Sequence, residues 1–256
     1  MKLSIIIPAY NEEKRIAASL EDYATLFSEK YGKDFEIIVV MNGCKDNTFG
    51  IVNNFEKIFP QIKHLDFEKS GKGFAIIEGF KVAKGELVGF TDADNSTDAS
   101  QFEKLIENLK DYDGIIGSRW MKGSVVEPRQ PFSRRIASRS FNLLTRMFFG
   151  LKFGDTQCGA KIFKKEAISR TLPRLGITEW AFDIDLLYKL KKNGCRIKEI
   201  PITWRDVGGS KLNVSKTSLK MFLAVTRLRL INSPFRFVVK TYDCMPEWLK
   251  IHHRLK

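Results

Sequence analysis

Asp92 and Asp94 stand one residue apart, directly after the apolar run LVGFT of residues 87–91. Two carboxylates at i and i+2, projecting where a strand ends and the chain turns, can hold Mg²⁺ or Mn²⁺ through oxygen ligands. Such an ion would neutralise a diphosphate that leaves as an anion. The same pair also suits an Asx-turn or a helix cap, so its meaning depends on its surroundings. Two other phosphate motifs fail on inspection. Gly71-Lys72-Gly73 is followed by Phe74-Ala75-Ile76 and lacks the third glycine of a dinucleotide fingerprint. The run GDTQCGAK at 154–161 has Ala160 where a phosphate loop needs lysine. His64, His252 and His253 have no metal-ligand or triad context.

Periodicity shows the elements that must position these groups. Residues 3–8 are a short apolar run ended by Pro8, and 12–30 carry helical spacing through Ile16, Leu20, Tyr23 and Phe27. Residues 35–41 (FEIIVVM) read as a buried strand, followed by a turn at Asn42-Gly43 and a helix over 48–59. The pattern repeats as strand 62–67 and helix 72–83, strand 87–91 and helix 99–110, then strand 114–117. Such alternation predicts an α/β fold whose mainly parallel sheet is covered on both faces. Open sheets of this kind bind ligands at the carboxyl ends of their strands, where residues 8–11, 42–43, 71–73 and 92–94 fall. After residue 118 the regularity loosens. We expect a loop at 119–131, a long helix over 133–149, a short strand at 159–163, a helix over 180–192, one strand over 196–204 and a mobile loop at 207–215.

The 256 residues, 43% hydrophobic and 29% charged, suit one large globular domain and exclude disorder. Cys44, Cys158, Cys195 and Cys244 lie too far apart for a zinc site and read as reduced cytosolic thiols. No targeting segment is read, and no apolar run approaches the ~18 residues of a membrane span. Residues 1–118 hold 14 Lys and Arg against 20 Asp and Glu, a net charge of −6, so the rest carries +19. A basic field confined to the second half attracts phosphates of nucleic acid, anionic lipid or a phosphorylated substrate.

The ordered set of motifs resembles the inverting family 2 glycosyltransferases of GT-A fold, above all their polyprenyl-phosphate branch. It runs Ile5-Ile6-Ile7-Pro8-Ala9-Tyr10-Asn11-Glu12, Asp46-Asn47-Thr48, Gly71-Lys72-Gly73, Asp92-Ala93-Asp94, Gly117-Ser118-Arg119, Arg134-Arg135, Asp155-Thr156-Gln157-Cys158-Gly159 and Trp180-Ala181-Phe182-Asp183. The Asp155–Gly159 run resembles glucosyl more than mannosyl members. The resemblance implies a nucleotide-sugar-binding half at 1–118, an acceptor-binding half of the same catalytic domain at 119–215, and a basic amphipathic helix and tail at 216–256. It implies a nucleotide pocket of Pro8, Tyr10 and Glu12, with Asn42, Asp46, Lys72 and Gln157 as further substrate contacts. Asp94 would be the principal ligand of Mg²⁺ or Mn²⁺, with Asp92 on the ion or the ribose. Arg119 would fork onto phosphate, and one of Arg134 and Arg135 would face the acceptor. Relatives carry an acidic turn after strand two. Here Asn42, which donates as well as accepts, leaves the base preference open, and Asn42-Gly43 also reads as a tight turn alone.

The implied reaction moves a hexose, glucose before mannose, from a nucleotide diphosphate sugar (UDP-glucose favoured, GDP-mannose possible) to a polyprenyl phosphate. A phosphate acceptor is already ionised and needs no strong base. A sugar hydroxyl would need one, for which Asp183 and Asp185 are candidates; about 200° apart on a helix, only one can face the site. A lipid acceptor implies peripheral docking on the cytoplasmic face of an anionic membrane, with 218–231 as the anchoring helix and Lys216, Lys220 and Arg227 within about 40° of one another at 100° per residue. The other class left open is a non-catalytic basic protein binding nucleic acid, with Trp120 and Phe132 as stacking surfaces. The ordered motifs argue against it, so no nucleic-acid partner is expected.

Overall fold

The structure is a computed structural model that describes residues 1–128, 132–176, 181–207 and 214–243. Strands β1 (Leu3–Ala9) and β2 (Phe35–Asn42) are buried along their whole length, as strands sandwiched between two helical layers must be. Beside them lie β3 (Ile62–Phe67), whose partial exposure marks an edge, and β4 (Leu87–Phe90). With β5 (Gly114–Ser118), β7 (Lys161–Lys164) and β8 (Ile197–Pro201) they form one seven-stranded sheet, ordered β3-β2-β1-β4-β7-β5-β8. Every neighbour pair is parallel except those made by β7, which runs antiparallel between β4 and β5.

The two-residue side-chain period divides the core. Ile5, Ile7, Ile37 and Val39 face α1 (Ile16–Tyr31), α2 (Thr48–Ile58) and α4 (Ala99–Glu107). Ile6, Ile38 and Val40 face the opposite layer of α3 (Lys72–Val82), α5 (Phe132–Phe149), α6 (Lys165–Thr171), α7 (Phe182–Lys192) and α8 (Val214–Ile231). The expected α/β architecture is therefore present.

The second half departs from the expected element list in four places, one of them α6, which follows β7 directly where no helix is expected. The single strand over 196–204 divides at Ile202, whose N–H donates to Ser118 O (3.2 Å) and whose carbonyl accepts from Val125 N–H (3.1 Å). Beyond it β9 (Thr203–Arg205) leaves the main sheet and pairs in parallel with β6 (Val125–Glu127), inside the segment read as a loop. A further helix, α9 (Arg236–Asp243), lies in what reads as a tail and exposes Phe237 and Val238 while burying Val239. Residues 208–213 of the expected mobile loop lie outside the described residues. Helix α8 buries Val225 and Leu228 and leaves Lys220 and Arg227 half-buried; the side chain of Lys216 is not among those described. No helix among the described residues is long and apolar enough to cross a membrane.

Candidate active site

The carboxyl ends of β1, β2 and β4 open into a cleft of about 190 Å³. Pro8 reaches it from the first strand and Tyr10 and Glu12 from the loop after it, Asn42 from the second strand, Lys72 from the start of α3, and Asp92 and Asp94 from just after β4. These are seven of the residues singled out above, converging from four separate segments. Half of Tyr10 is exposed, so a flat aromatic face stands open at the cleft wall.

Hydrogen bonds show how each wall residue is held. Glu12 takes the fork of Arg15 on both carboxylate oxygens, each at 2.8 Å. Burial nevertheless raises its pKa above the ordinary carboxylate value, against the pull of that guanidinium. Asn42 is buried and serves the backbone: Nδ2 donates to Ala9 O (2.8 Å), and Oδ1 accepts from Gly71 N–H (2.9 Å). A carboxylate could not make the first bond, which accounts physically for an amide at this turn. Asp46, named as a substrate contact, lies outside the cleft lining. Its carboxylate accepts from Glu13 N–H (3.0 Å), Thr48 N–H (3.1 Å) and the Thr48 hydroxyl (2.5 Å). Burial would raise its pKa, but these bonds hold it below the usual value. Asp46 thus ties the loop after β2 to the loop after β1.

The Asp92-Ala93-Asp94 segment is boxed in by charge and by shape. Asp92 Oδ1 accepts from Lys72 Nζ at 2.5 Å. Burial pushes Asp92 upward, but Lys72, with Lys161 and Arg119 further off, keeps it below the ordinary carboxylate value. Gly73, next to Lys72, has no room for a side chain: a Cβ there would lie 2.7 Å from the Phe182 side chain. Asp94 Oδ1 accepts from Ser96 N–H (3.0 Å), so the Asx-turn reading is also realised, while Oδ2 lies 3.8 Å from Arg15 Nη1.

This donor set fits a hard divalent cation. It offers two carboxylates, and the buried Asn95 Oδ1 and Ser96 Oγ just after them have no hydrogen-bond partner. No cluster of three His, Cys, Asp or Glu occurs among the described residues; Mg²⁺ is commonly held by one or two carboxylates together with substrate phosphates and water. Gly159 supplies the remaining space, because a Cβ there would stand 2.0 Å from Asp92 Oδ2. Gly159→Ala is therefore expected to push the carboxylate aside and weaken Mn²⁺ binding by about tenfold or more, as displaced supports of metal ligands do. Calorimetric titration of Mn²⁺ in the presence of UDP measures this, and an unchanged affinity would show that Asp92 is not held through Gly159.

Behind the cleft lie two further acid–base pairs. Arg119 gives Nε (2.7 Å) and Nη2 (2.9 Å) to the fully buried Asp155, and its backbone N–H (3.1 Å) goes to the same carboxylate. The fork expected on substrate phosphate is thus spent within the protein, and its guanidinium stacks 5.6 Å from the Trp204 ring. Lys161, fully buried, donates to Asp183 Oδ1 (2.6 Å) and to Cys158 O (2.5 Å). Asp185 points elsewhere, to Gly176 N–H (2.9 Å) and Lys189 Nζ (2.8 Å), so the two carboxylates of α7 do diverge. Gln157 and Arg135 are half-buried and lie outside the cleft lining, and the side chain of Arg134 is not among those described. Lys161 and Arg15 escape a motif-based reading. A lysine inside the apolar run KIFK was the available signal, since a buried ammonium demands a carboxylate.

The Glycosyl transferase family 2 pattern matches residues 4–172. The dolichyl-phosphate beta-glucosyltransferase of Dictyostelium discoideum is 33% identical over 240 residues, covering 89% of this chain and 73% of that protein. The enzyme of the same name from Saccharomyces cerevisiae is 32% identical over 247 residues, covering 89% and 74%. Among solved structures, glucosyl-3-phosphoglycerate synthase from Mycobacterium tuberculosis, in complex with Mn²⁺, UDP and glucosyl-3-phosphoglycerate, superposes with a TM-score of 0.66 at 17% identity, covering 89% of this chain and 79% of that one. The mannosyltransferase PcManGT from Pyrobaculum calidifontis, with GDP-Man and Mn²⁺, gives 0.63 at 19% identity, covering 91% and 64%. With the family pattern spanning 4–172, most of the chain, and two relatives more than 30% identical over most of their length, this protein belongs to glycosyl transferase family 2.

Proposed function

We propose that this protein is an inverting glycosyltransferase that moves glucose from UDP-glucose to a polyprenyl phosphate. The observation that carries the reading is the cleft itself, where Tyr10, Glu12, Lys72, Asp92 and Asp94 converge. Tyr10 offers a stacking surface to the base, and Glu12 accepts hydrogen bonds from base or ribose. Asp92 and Asp94 would hold Mg²⁺ or Mn²⁺, which when bound supplies positive charge to the diphosphate as it leaves. Lys72 adds a fixed ammonium beside the same carboxylate.

Asp183 favours a phosphate acceptor over a sugar hydroxyl. Its Oδ1 accepts from the buried ammonium of Lys161, and Asp185 turns to Gly176 N–H and Lys189 Nζ, so each candidate base of the hydroxyl route is held in an ion pair. A phosphate oxygen is ionised at neutral pH and attacks the anomeric carbon from the face opposite the diphosphate, inverting that centre. The relatives named for dolichyl phosphate support the same acceptor. A lipid acceptor calls for peripheral docking on an anionic membrane surface, which we place at the cytoplasmic face and assign to the basic second half.

The test is sugar transfer from UDP-glucose and from GDP-mannose to a prenyl phosphate in anionic vesicles, at low and high salt, with Mn²⁺ or with chelator. We expect metal-dependent transfer, UDP-glucose as the better donor, and a rate that falls with salt as surface attraction is screened. Donor hydrolysis without transfer, or transfer to sugar hydroxyls alone, would overturn the acceptor assignment.

A further inference from the structure

A second cavity, of about 260 Å³, lies along α5 and shares no lining residue with the donor cleft. Its walls are Trp120, Arg139, Asn142, Leu143, Arg146 and Gly154: two guanidinium groups and no carboxylate. Arg139 sits 5.6 Å from the Trp120 ring, and Arg146 Nε donates to Phe153 O at 3.2 Å. Both arginines are exposed. The indole N–H of Trp120 is buried and has no hydrogen-bond acceptor. A wall with two charged forks and an unpaired donor asks for an anion with several acceptor oxygens.

The surroundings show what such an anion is attached to. At about 100° per residue, Arg139, Asn142 and Arg146 fall within about 60° on α5, and Arg135 continues the same stripe one turn earlier. From Arg135 to Arg146 this line of cations runs about 16 Å. Immediately beside it Leu143 is 59% exposed and Met147 72% exposed. Phosphate-binding groups bordered by bare apolar side chains match a ligand that is a phosphate at one end and hydrocarbon at the other. The site also adjoins the Arg119–Asp155 pair through the chain: Trp120 follows Arg119, and Gly154 precedes its partner Asp155.

We infer that this α5 cavity binds the phosphate head of a prenyl-type amphiphile, with Arg139, Arg146 and the Trp120 indole on the phosphate and Leu143 and Met147 against the chain. The inference rests on the acceptor reading above and adds to it the place where the acceptor is captured. Farnesyl phosphate, farnesol and inorganic phosphate serve as probes, titrated calorimetrically into the full chain without nucleotide sugar.

Wild type should bind farnesyl phosphate more tightly than either single-featured probe. The double variant Arg139→Gln/Arg146→Gln should weaken that binding about tenfold or more, since each substitution removes a charge-assisted contact. UDP binding in the presence of Mn²⁺ should stay unchanged, which reports an intact fold and donor cleft. Equal affinity for farnesyl phosphate in wild type and the double variant would overturn the site, even if sugar transfer occurs. Inorganic phosphate bound as tightly as farnesyl phosphate would overturn its amphiphile character. Farnesyl phosphate captured through these arginines but never glucosylated would uphold the site and remove only the acceptor role given under the proposed function.

Discussion

Asp94→Asn is expected to lower kcat/KM for sugar transfer by about a hundredfold or more, the range seen when a preorganised charge facing a leaving group is lost. The substitution is nearly isosteric, and the side-chain oxygen that accepts from Ser96 N–H can be kept. The lost charge is that of Oδ2, which faces Arg15 across 3.8 Å. Stability should move by less than about 0.5 kcal/mol, as for a partly exposed position with its hydrogen bond retained. For a chain of this size that is about 1 °C in Tm. The discriminating measurement is Mn²⁺ titration with UDP, run beside kinetics and thermal unfolding. A variant that turns over like wild type with the same metal dependence would show that Asp94 does not hold the ion.

Asp155→Ala should have the largest effect on stability. Asp155 is wholly buried and is the carboxylate on which three donors of Arg119 converge, while its own N–H donates to Glu199 Oε1 (2.7 Å). Removing one partner of such a pair strands the other charge, at a cost of about 3–5 kcal/mol. The midpoint of thermal unfolding should fall by roughly 10 °C. Arg119→Lys should be milder but still damaging, because one ammonium cannot reproduce a two-pronged contact. Chemical denaturation of the three proteins ranks them, and an Asp155→Ala midpoint equal to wild type would show that the pair contributes nothing to the fold.

The donor half was legible because its signals are local. Each βα unit announces itself by an apolar run followed by helical spacing, and the residues after each strand are carried to one end of the sheet by the parallel topology alone. Pro8, Tyr10, Glu12, Asn42, Lys72, Asp92 and Asp94 therefore meet where expected. The partners of Arg119 and Lys161 were not legible, since Asp155 and Asp183 lie 36 and 22 residues away and only the fold brings them close. Nor does a four-residue strand such as β7 show its direction in its sequence. The break at Ile202 is equally silent: that residue is apolar in either reading and simply bonds to Ser118 on one side and Val125 on the other. Asn42 illustrates a third limit. Its position at the cleft was readable, but whether its amide serves a ligand or the backbone depends on which carbonyl lies within reach, here that of Ala9.

Strand β7 has a consequence for how this chain is made. Because it is threaded between β4 and β5, the middle of the sheet cannot zip up as synthesis proceeds from the amino terminus. With residues 161–164 still inside the ribosome, β4 presents an unpaired apolar edge and β5 has no neighbour to join, a state that invites edge-to-edge association. Closure requires a long loop to be drawn in, from Phe90 to its partner Lys161, and such distant pairings are slow to form. A polypeptide released after residue 118 should therefore collect in aggregates, whereas one extended past residue 164 has the strand that seals the gap. The vulnerable moment in this protein's life is the interval between those two points of elongation.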